Sequence, residues 1–279
     1  MEIRAATTMT TQSIPRLKIL QFDRSLLHFH APIRTSLRFP VISRTTLRKP
    51  LFTTCSLADE TTFSTVTKVA VEDPSLAVKK KAADMSPELK GTSIFLVGMN
   101  NSMKTNLGKL LADALRYYYF DSDSLVFEAA GGESAAKAFR DNDEKAYREA
   151  ETEVLKQLSS MGRLVVCVGN GAVQSSTNLS LLRHGISMWI DVPLDMMAGA
   201  DQSDLAASEV SSQLSALYNE MRDGYATADA TISLQKVATQ LGYDDLDAVT
   251  TEDMTMEVLK EMERLTRLKK MMEEAAKPL

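Results

Sequence analysis

The stretch that most constrains the fold of this chain is residues 92–105, which read TSIFLVGMNNSMKT. Its apolar run over 94–97 predicts a short buried strand, and the leucine spacing that begins after it predicts a helix. A strand, a loop and a helix that opens on Lys-Thr form the layout of a phosphate-binding P-loop, G-x-x-x-x-G-K-[ST]. Gly98, Lys104 and Thr105 stand at the required spacing. The stretch therefore predicts a strand–loop–helix unit.

Two positions of this loop depart from the P-loop pattern. Met103 occupies the place of the second glycine, and Asn101 stands where many such loops carry another glycine. A glycine there lets backbone N–H groups surround a phosphate at the helix N-terminus. Met103 is predicted to bring a side chain into that space, with about 1–2 kcal/mol of strain if its φ is positive. Asn101 adds bulk and a competing polar group, so a strand–helix corner without phosphate binding stays open as an alternative.

The N-terminal segment has the composition of a targeting sequence. Residues 1–58 contain nine Lys or Arg, two acidic residues and many Ser and Thr, without the continuous apolar core of a secretory signal. This bias predicts a transit peptide over residues 1–54, with processing near Cys55. A disordered basic arm that binds nucleic acid is the alternative, although the basic residues are scattered rather than clustered.

The remainder of the chain is acidic. Without residues 1–58, 23 of the 32 basic and 35 of the 37 acidic residues remain, a net charge of about −12. This charge argues against non-specific nucleic-acid binding. We also expect no membrane span, because no run of about 18 apolar residues occurs. Cys55 and Cys167 are too few for a disulfide framework or a zinc site.

Short apolar runs alternate with helical patterns along the rest of the chain. Strands are predicted at 94–97, 117–120, 164–168, 187–191 and 230–234, and helices from residue 104 and over 134–139, 144–160, 176–184, 204–226, 235–241 and 252–276. This alternation indicates an α/β fold with a parallel sheet flanked by helices. The predicted organisation is a linker over 55–90, a domain over 91–265 and a helical C-terminal extension over 266–279.

The last predicted helix carries an apolar stripe at three- and four-residue spacing. The stripe consists of Met254, Val258, Met262, Leu265, Leu268 and Met272. Packing against the sheet explains its first half. The part beyond Leu265 is longer than a small domain needs, and methionine provides adaptable apolar surface. Either capping of the core or binding of a partner protein is consistent with this second half.

Several separated blocks resemble one enzyme family. They are Ile94-Phe-Leu-Val-Gly98-Met, Phe120-Asp-Ser-Asp123, Tyr147-Arg148-x-x-Glu151, Gly169-x-Gly-Ala-Val173, Trp189-x-Asp-Val-Pro-Leu-Asp195 and Tyr225-Ala-x-Ala-Asp-Ala230. Through them, residues of about 75–265 resemble the plastid shikimate kinases of plants, P-loop enzymes that phosphorylate the 3-hydroxyl of shikimate with ATP and Mg²⁺. The resemblance implies a P-loop kinase fold of the shikimate kinase and nucleoside-monophosphate kinase type.

The resemblance also implies a role for each matching residue. Lys104 would hold phosphates, Thr105 the Mg²⁺, Asp121 would lie beside the metal, Asp123 would accept hydrogen bonds from substrate hydroxyls, Arg148 would pair with the substrate carboxylate, and Gly169 and Gly171 would let the backbone approach the substrate ring. Taken without the family, Asp-Ser-Asp is a common helix-cap signal, and an arginine three residues before a glutamate is an ordinary helix pair.

Further departures concern the groups that the family uses for chemistry. Asn170 replaces the middle residue of a Gly-Gly-Gly turn, Gly199-Ala200 stand where the family has an arginine pair, and 201–214 lacks the Arg-Pro-Leu-Leu lid segment. Met221 replaces an arginine four residues before Tyr225. Phosphoryl transfer depends on cations that neutralise the transferred group, and one arginine can contribute about 10³–10⁵ in rate. The site is therefore predicted to be degenerate.

Our hypothesis from the sequence is an inactive shikimate-kinase-like protein of the chloroplast stroma. The resemblance is strongest to an inactive plant member of the family, which implies a role in chloroplast biogenesis. We expect no functional cofactor, neither ATP nor a metal, and binding to plastid proteins through the C-terminal helix. The alternative is an active P-loop kinase or nucleotide switch that uses Lys104, Thr105 and Asp121 on another substrate. Residual shikimate binding without turnover is a third possibility.

Overall fold

A computed structural model describes residues 73–197 and 204–277, with side chains left out over 204–210. The predicted transit peptide and residues 55–72 of the predicted linker lie outside the described residues. So do Gly199-Ala200 and the first residues of the altered lid segment, 201–203.

The centre of the described fold is a parallel sheet. Its strands are β1 (Ile94–Val97), β2 (Tyr118–Asp121), β3 (Leu164–Cys167), β4 (Ile186–Asp191) and β5 (Ala230–Ser233). Their order in the sheet is β2-β3-β1-β4-β5, and every neighbouring pair is parallel. β1 and β3 are buried along their whole length, as expected for strands that helices cover on both faces.

Helices connect the strands and cover both faces of the sheet. The described helices are α1 (Pro74–Leu89), α2 (Ser102–Leu115), α3 (Ser122–Ala130), α4 (Glu133–Asn142), α5 (Glu144–Ser159), α6 (Ser176–Leu182), α7 (Asp204–Tyr225), α8 (Leu234–Leu241) and α9 (Thr251–Ala275). One apolar cluster combines α1, α2, α8 and α9 with one face of the sheet. A second cluster combines α3 to α7 with the other face. The predicted α/β fold with a flanked parallel sheet is confirmed.

The prediction of a linker over 55–90 is wrong for residues 74–89. Helix α1 occupies Pro74–Leu89, and four of its side chains (Val78, Ala82, Met85 and Leu89) are buried in the first cluster. These residues are four, three and four positions apart, so they lie on one face of the helix. The three lysines at 79–81 make the composition of the stretch polar, and this polarity favoured a linker. The helix therefore belongs to the domain rather than to the segment before it.

Helix α3 was missing from the sequence prediction. It begins directly after Asp121, whose carboxylate accepts a hydrogen bond from the Ser124 N–H at 2.9 Å. Gly131 ends it with φ of 95°, a conformation that glycine adopts at little cost. The Asp-Ser-Asp block therefore forms a helix N-terminus at the end of β2, and this places Asp123 in the first helical turn.

Helix α9 begins with a capping box between Thr250 and Asp253. Its buried residues end at Met262, and Leu265 is only partly buried. The predicted long helix over 252–276 is thus confirmed within one residue at each end. In the part of the chain that the structure describes, no helix combines the length and the apolar character needed to cross a bilayer.

Candidate functional site

The predicted site residues meet at the carboxyl edge of the sheet. The segments 98–101, 121–123 and 169–171 follow β1, β2 and β3, which are neighbours in the sheet. The chain turns to the other side of β1 when it enters β4. Ligands of open α/β sheets bind at such a point, where the strand order reverses. The topology therefore brings the three motif segments together as the resemblance implies.

Gly98 is required by the close packing of the loop on strand β4. Its φ is 125°, a region that residues with a Cβ rarely occupy. A Cβ at this position would overlap the carbonyl of Ile190 and also come close to Trp189. A need for glycine here follows from the backbone alone, whether or not a phosphate ever binds.

The Lys104 side chain points into the protein and is 1% exposed. Its Nζ donates to the Gly98 carbonyl at 2.7 Å, to Asn100 Oδ1 at 2.7 Å and to the Val168 carbonyl at 2.9 Å. An ammonium has three donors, so each one has an acceptor inside the chain. Burial lowers the pKa of Lys104, and the nearby carboxylate of Asp123 acts against that shift.

Asn101 caps the helix that a phosphate would otherwise cap. Its Oδ1 accepts a hydrogen bond from the Lys104 backbone N–H at 2.7 Å, and its Nδ2 donates to the Met99 carbonyl at 2.9 Å. Thr105, the expected Mg²⁺ ligand, donates its hydroxyl to the Asn101 carbonyl at 3.2 Å. Asn101 thus satisfies one of the backbone N–H groups at the N-terminus of α2, as an N-cap side chain does. In this arrangement the loop does not fit a phosphate group.

Met103 is not strained and packs away from these contacts. It lies inside α2 with a helical backbone, so the positive φ considered above does not occur. Its side chain packs on the first apolar cluster, and its Sδ lies 3.8 Å from the hydroxyl of Thr251 at the start of α9. The expectation that Met103 fills the phosphate space is therefore wrong, because helical geometry directs the side chain toward α9.

Asn100 is a site residue that the sequence reading missed. Its Oδ1 accepts from Lys104 Nζ, and its Nδ2 donates to Asp123 Oδ2 at 2.7 Å. Its backbone N–H donates to Asn170 Oδ1 at 2.9 Å. A single asparagine therefore connects the loop after β1 to those after β2 and β3. No local sequence pattern predicts the bonds to Asp123 and Asn170, because these residues lie 23 and 70 positions away in the chain.

The two aspartates of the Asp-Ser-Asp block have different surroundings. Asp121 caps α3 through Ser124, while Asp123 receives the Asn100 amide. A Cβ on Gly169 would overlap the Asp123 carboxylate, so glycine is needed for this approach. Burial raises the pKa of Asp123, and the bond from Asn100 acts against that shift. Within the described residues, no group of three His, Cys, Asp or Glu side chains is placed to hold a metal ion.

Arg148 is already paired with carboxylates of its own helix. Its Nη1 donates to Glu151 at 2.9 Å, and its Nη2 lies 3.5 Å from Glu144. Glu151 is buried, which raises the pKa of its carboxyl, while the bond from Arg148 acts against that rise. The guanidinium lies directly over Gly171, where a Cβ would overlap it. It borders an open cleft of about 840 Å³ between α5 and residues 171–178.

Asn170 lies in a short 3₁₀ helix, Asn170–Gln174, and faces the loop after β1. Its Oδ1 accepts from the Asn100 N–H and, at 3.4 Å, from the Tyr225 hydroxyl. Tyr225 is fully buried, and burial raises the pKa of its phenol. The asparagine side chain expected to contact a substrate ring is thus used for bonds within the protein.

Met221 is 3% exposed and belongs to the second apolar cluster. It lies one helical turn before Tyr225, whose ring centroid is 5.9 Å from that of Trp189. Apolar packing thus occupies the position at which the resemblance implies an arginine. Most of the predicted change in the lid falls on 198–203 and on the side chains of 204–210, which lie outside the described residues.

Comparisons with known proteins agree with this geometry. A family model described as shikimate kinase matches residues 100–263. The Arabidopsis thaliana protein named "Probable inactive shikimate kinase like 1, chloroplastic" is 58% identical over 254 residues, which cover 85% of this chain and 90% of that protein. "Shikimate kinase 3, chloroplastic" of Oryza sativa subsp. japonica is 40% identical over 204 residues, which cover 68% and 71%.

A solved structure confirms the fold. The shikimate kinase from Acinetobacter baumannii in complex with shikimate superposes with a TM-score of 0.52 at 22% identity, and the match covers 65% of this chain and 96% of that one. The family predicted from the six sequence blocks is confirmed, and the chain belongs to the shikimate kinase family.

Proposed function

We propose that this protein is a catalytically inactive, shikimate-kinase-like protein of the plastid that acts by binding rather than by phosphoryl transfer. A relative of 58% identity carries the words "Probable inactive" in its name, and the plant relatives from Arabidopsis, rice and tomato are named as chloroplastic. These names support the plastid and the loss of activity. We place the protein in the stroma and give it a role in chloroplast biogenesis as part of the same proposal.

The observation that carries the loss of activity is the burial of Met221 one helical turn before Tyr225. Its apolar side chain packs in the second cluster on the helix that carries Tyr225. Phosphoryl transfer needs cations at the transferred group and at the substrate. The guanidinium of Arg148 forms ion pairs with Glu144 and Glu151. Substrate binding would have to compete with these pairs without a second arginine at position 221.

We also propose that the protein works without nucleotide or Mg²⁺. Two donors of the loop, Lys104 Nζ and the Lys104 N–H, are bonded within the chain. Thr105 donates to the Asn101 carbonyl, and Asp121 caps α3. Each residue that the resemblance assigns to phosphate or metal therefore has a structural role in the ligand-free fold.

The experiment that tests the loss of activity is complementation of a bacterial strain that lacks its own shikimate kinases. We expect no growth from this protein, expressed from residue 55 onward, and growth from the rice shikimate kinase 3 as the positive control. Immunodetection must show equal amounts of soluble protein. Growth near the wild-type rate would contradict the proposal and favour an active kinase.

The binding role is assigned to the end of helix α9. Leu268, Met271 and Met272 are 46%, 60% and 65% exposed, and they stand beside Lys269 and Lys270. Large apolar side chains on an exposed helix suit recognition by the groove of a partner protein. A plastid protein that binds this surface is the proposed partner.

The proposed delivery to the plastid is tested separately, by fusion of residues 1–70 to a fluorescent protein.

A further inference from the structure

Three asparagine oxygens accept hydrogen bonds from the donors that a phosphate-binding loop presents. Asn100 Oδ1 accepts from Lys104 Nζ at 2.7 Å, and Asn101 Oδ1 accepts from the Lys104 N–H at 2.7 Å. Asn170 Oδ1 accepts from the Asn100 N–H at 2.9 Å. Lysine ammonium and backbone N–H groups at a helix N-terminus are the groups that hold anion oxygens in such loops.

We propose that Asn100, Asn101 and Asn170 form an asparagine clasp that takes the place of a bound anion and keeps the loop shut. This inference rests on the proposed function, in which the site carries out no turnover. The amide oxygens accept from three donors of the loop without a ligand. An entering polyphosphate would have to compete with these three bonds.

The clasp is held at both ends by groups of the former substrate side. The Asn100 Nδ2 donates to Asp123 Oδ2 at 2.7 Å, and Asn170 Oδ1 also lies within 3.4 Å of the Tyr225 hydroxyl. Asn100 thus donates to a carboxylate and accepts from an ammonium, and this fixes the orientation of its amide. The same carboxylate would repel a phosphate that displaced Asn100. The network therefore disfavours anion binding in two ways: the asparagine oxygens occupy three donors of the loop, and the Asp123 carboxylate repels negative charge.

The clasp also explains how the lysine is tolerated in the interior. A buried ammonium needs acceptors or a counter-charge. Lys104 obtains two backbone carbonyls and the Asn100 oxygen, and Asp123 lies on the far side of that asparagine. The positive charge of the loop is thus satisfied within the fold rather than by a ligand.

The first test uses inorganic tripolyphosphate as the probe and the melting temperature as the readout. The clasp variant carries Asn100→Ala, Asn101→Gly and Asn170→Gly. The control carries Asn106→Ala and Asn219→Ala, two exposed asparagines on α2 and α7. A ligand at a hundredfold excess over its Kd raises the melting temperature of a domain of this size by roughly 5–10 °C. We expect this rise in the clasp variant and none in the unaltered protein or the control.

Adding Lys104→Ala to the clasp variant should abolish the rise, which locates the probe at the loop. A comparable rise in the unaltered protein would overturn the proposal, as would a folded clasp variant that shows no rise. These readouts differ from the complementation assay. Anion binding by the unaltered protein without growth would overturn the clasp and leave the proposed loss of activity intact, while growth would overturn that loss directly.

The second test needs no variant and decides the matter if the clasp variant does not fold. Hydrogen exchange of the full chain without ligand should show the N–H groups of Asn100 and Lys104 protected to the same degree as those of β1. Addition of tripolyphosphate should leave this exchange unchanged. Exchange at the rate of exposed amides, or a change on addition of the probe, would overturn the proposal.

Discussion

Lys104 shows how a residue of a phosphate-binding motif can serve the fold itself. Its aliphatic stem and ammonium are buried, and its three donors connect the end of β1 with the end of β3 through Gly98 and Val168. Breaking such a network leaves buried polar groups unpaired, which costs more than the bonds contribute when formed. Retention of the motif lysine in the sequence is therefore explained without a nucleotide.

The first prediction at this scale concerns Met221. Met221→Arg introduces the residue type that the resemblance implies, but it places a longer, charged side chain in a position that is 3% exposed. Overpacking costs about 1–3 kcal/mol, and desolvation of the guanidinium adds to that. We expect urea unfolding to show a loss of at least this size and complementation to remain absent. Met221→Leu, which nearly conserves volume, is the control and should lose less than about 1.5 kcal/mol.

The second prediction uses the buried phenol of Tyr225. Burial raises its pKa above the ordinary value in the folded state. The protonated form therefore stabilises the fold fully below about pH 10, and that stability is lost as pH rises toward the higher folded pKa. Between pH 10 and 12, Tyr225→Phe should lose stability less steeply, by up to about 1.4 kcal/mol per pH unit. Tyr243→Phe, at an exposed tyrosine, is the control, and equal slopes would contradict the prediction.

Single residues also mark the limit of prediction from the sequence. That Lys104, Asp123 and Arg148 belong to one site followed from the resemblance to the family. The direction of a side chain did not. Met103 turns toward Thr251 because it lies within a helix, and Asn100 bonds to residues far along the chain. Contacts of this kind depend on the packing of separate elements, which no local spacing encodes.

At the scale of elements, helix α1 changes the boundary of the domain. Its apolar face packs on α2 and α9 in the first cluster, and Lys81 forms an ion pair with Glu263 of α9. The helix begins with a hydrogen bond from the Ser75 N–H to the Asp73 carboxylate at 3.0 Å. An N-cap and a four-residue apolar face were readable in the sequence, but the three lysines and Pro87 directed the prediction to a linker.

A matched pair of methionine substitutions tests the role of α1. Met85→Ala removes a side chain that is 3% exposed, whereas Met271→Ala removes one that is 60% exposed. We expect a loss of about 2–5 kcal/mol for the first and a change within about 0.5 kcal/mol for the second. Urea unfolding of both proteins measures the difference. If Met85→Ala changed nothing, α1 would not be part of the folded domain.

At the scale of the whole molecule, the chain keeps the kinase fold but not the groups that phosphoryl transfer needs. The sheet order, both apolar clusters and the meeting of three loops at one edge are present. They depend on apolar periodicity and on glycines at crowded positions, which the sequence displays. The chemistry depends on a few cations and unobstructed donors, and these are absent, paired or satisfied. A chain can thus keep the architecture of a kinase without the groups that phosphoryl transfer needs.

The last prediction concerns the surface at the end of α9. Truncation after Arg264 removes Leu265, which is partly buried, and the exposed residues that follow, but it keeps every buried residue of the helix up to Met262. The ion pair of Glu263 with Lys81 is also kept. We therefore expect a folded domain whose melting temperature falls by only a few degrees, since a loss of 1 kcal/mol shifts a domain of this size by about 2–4 °C.

Truncation before Val258 is the contrasting variant, because it removes Val258, Leu259 and Met262 from the first cluster and should unfold the domain. Pull-downs from plastid stroma with the full-length chain and the protein ending at Arg264 then compare binding between two folded proteins. The proposed role of α9 requires that the partner be lost with residues 265–279. An unfolded truncation after Arg264 would assign this helix end to capping of the core. An unchanged set of bound proteins would place the binding surface elsewhere on the domain.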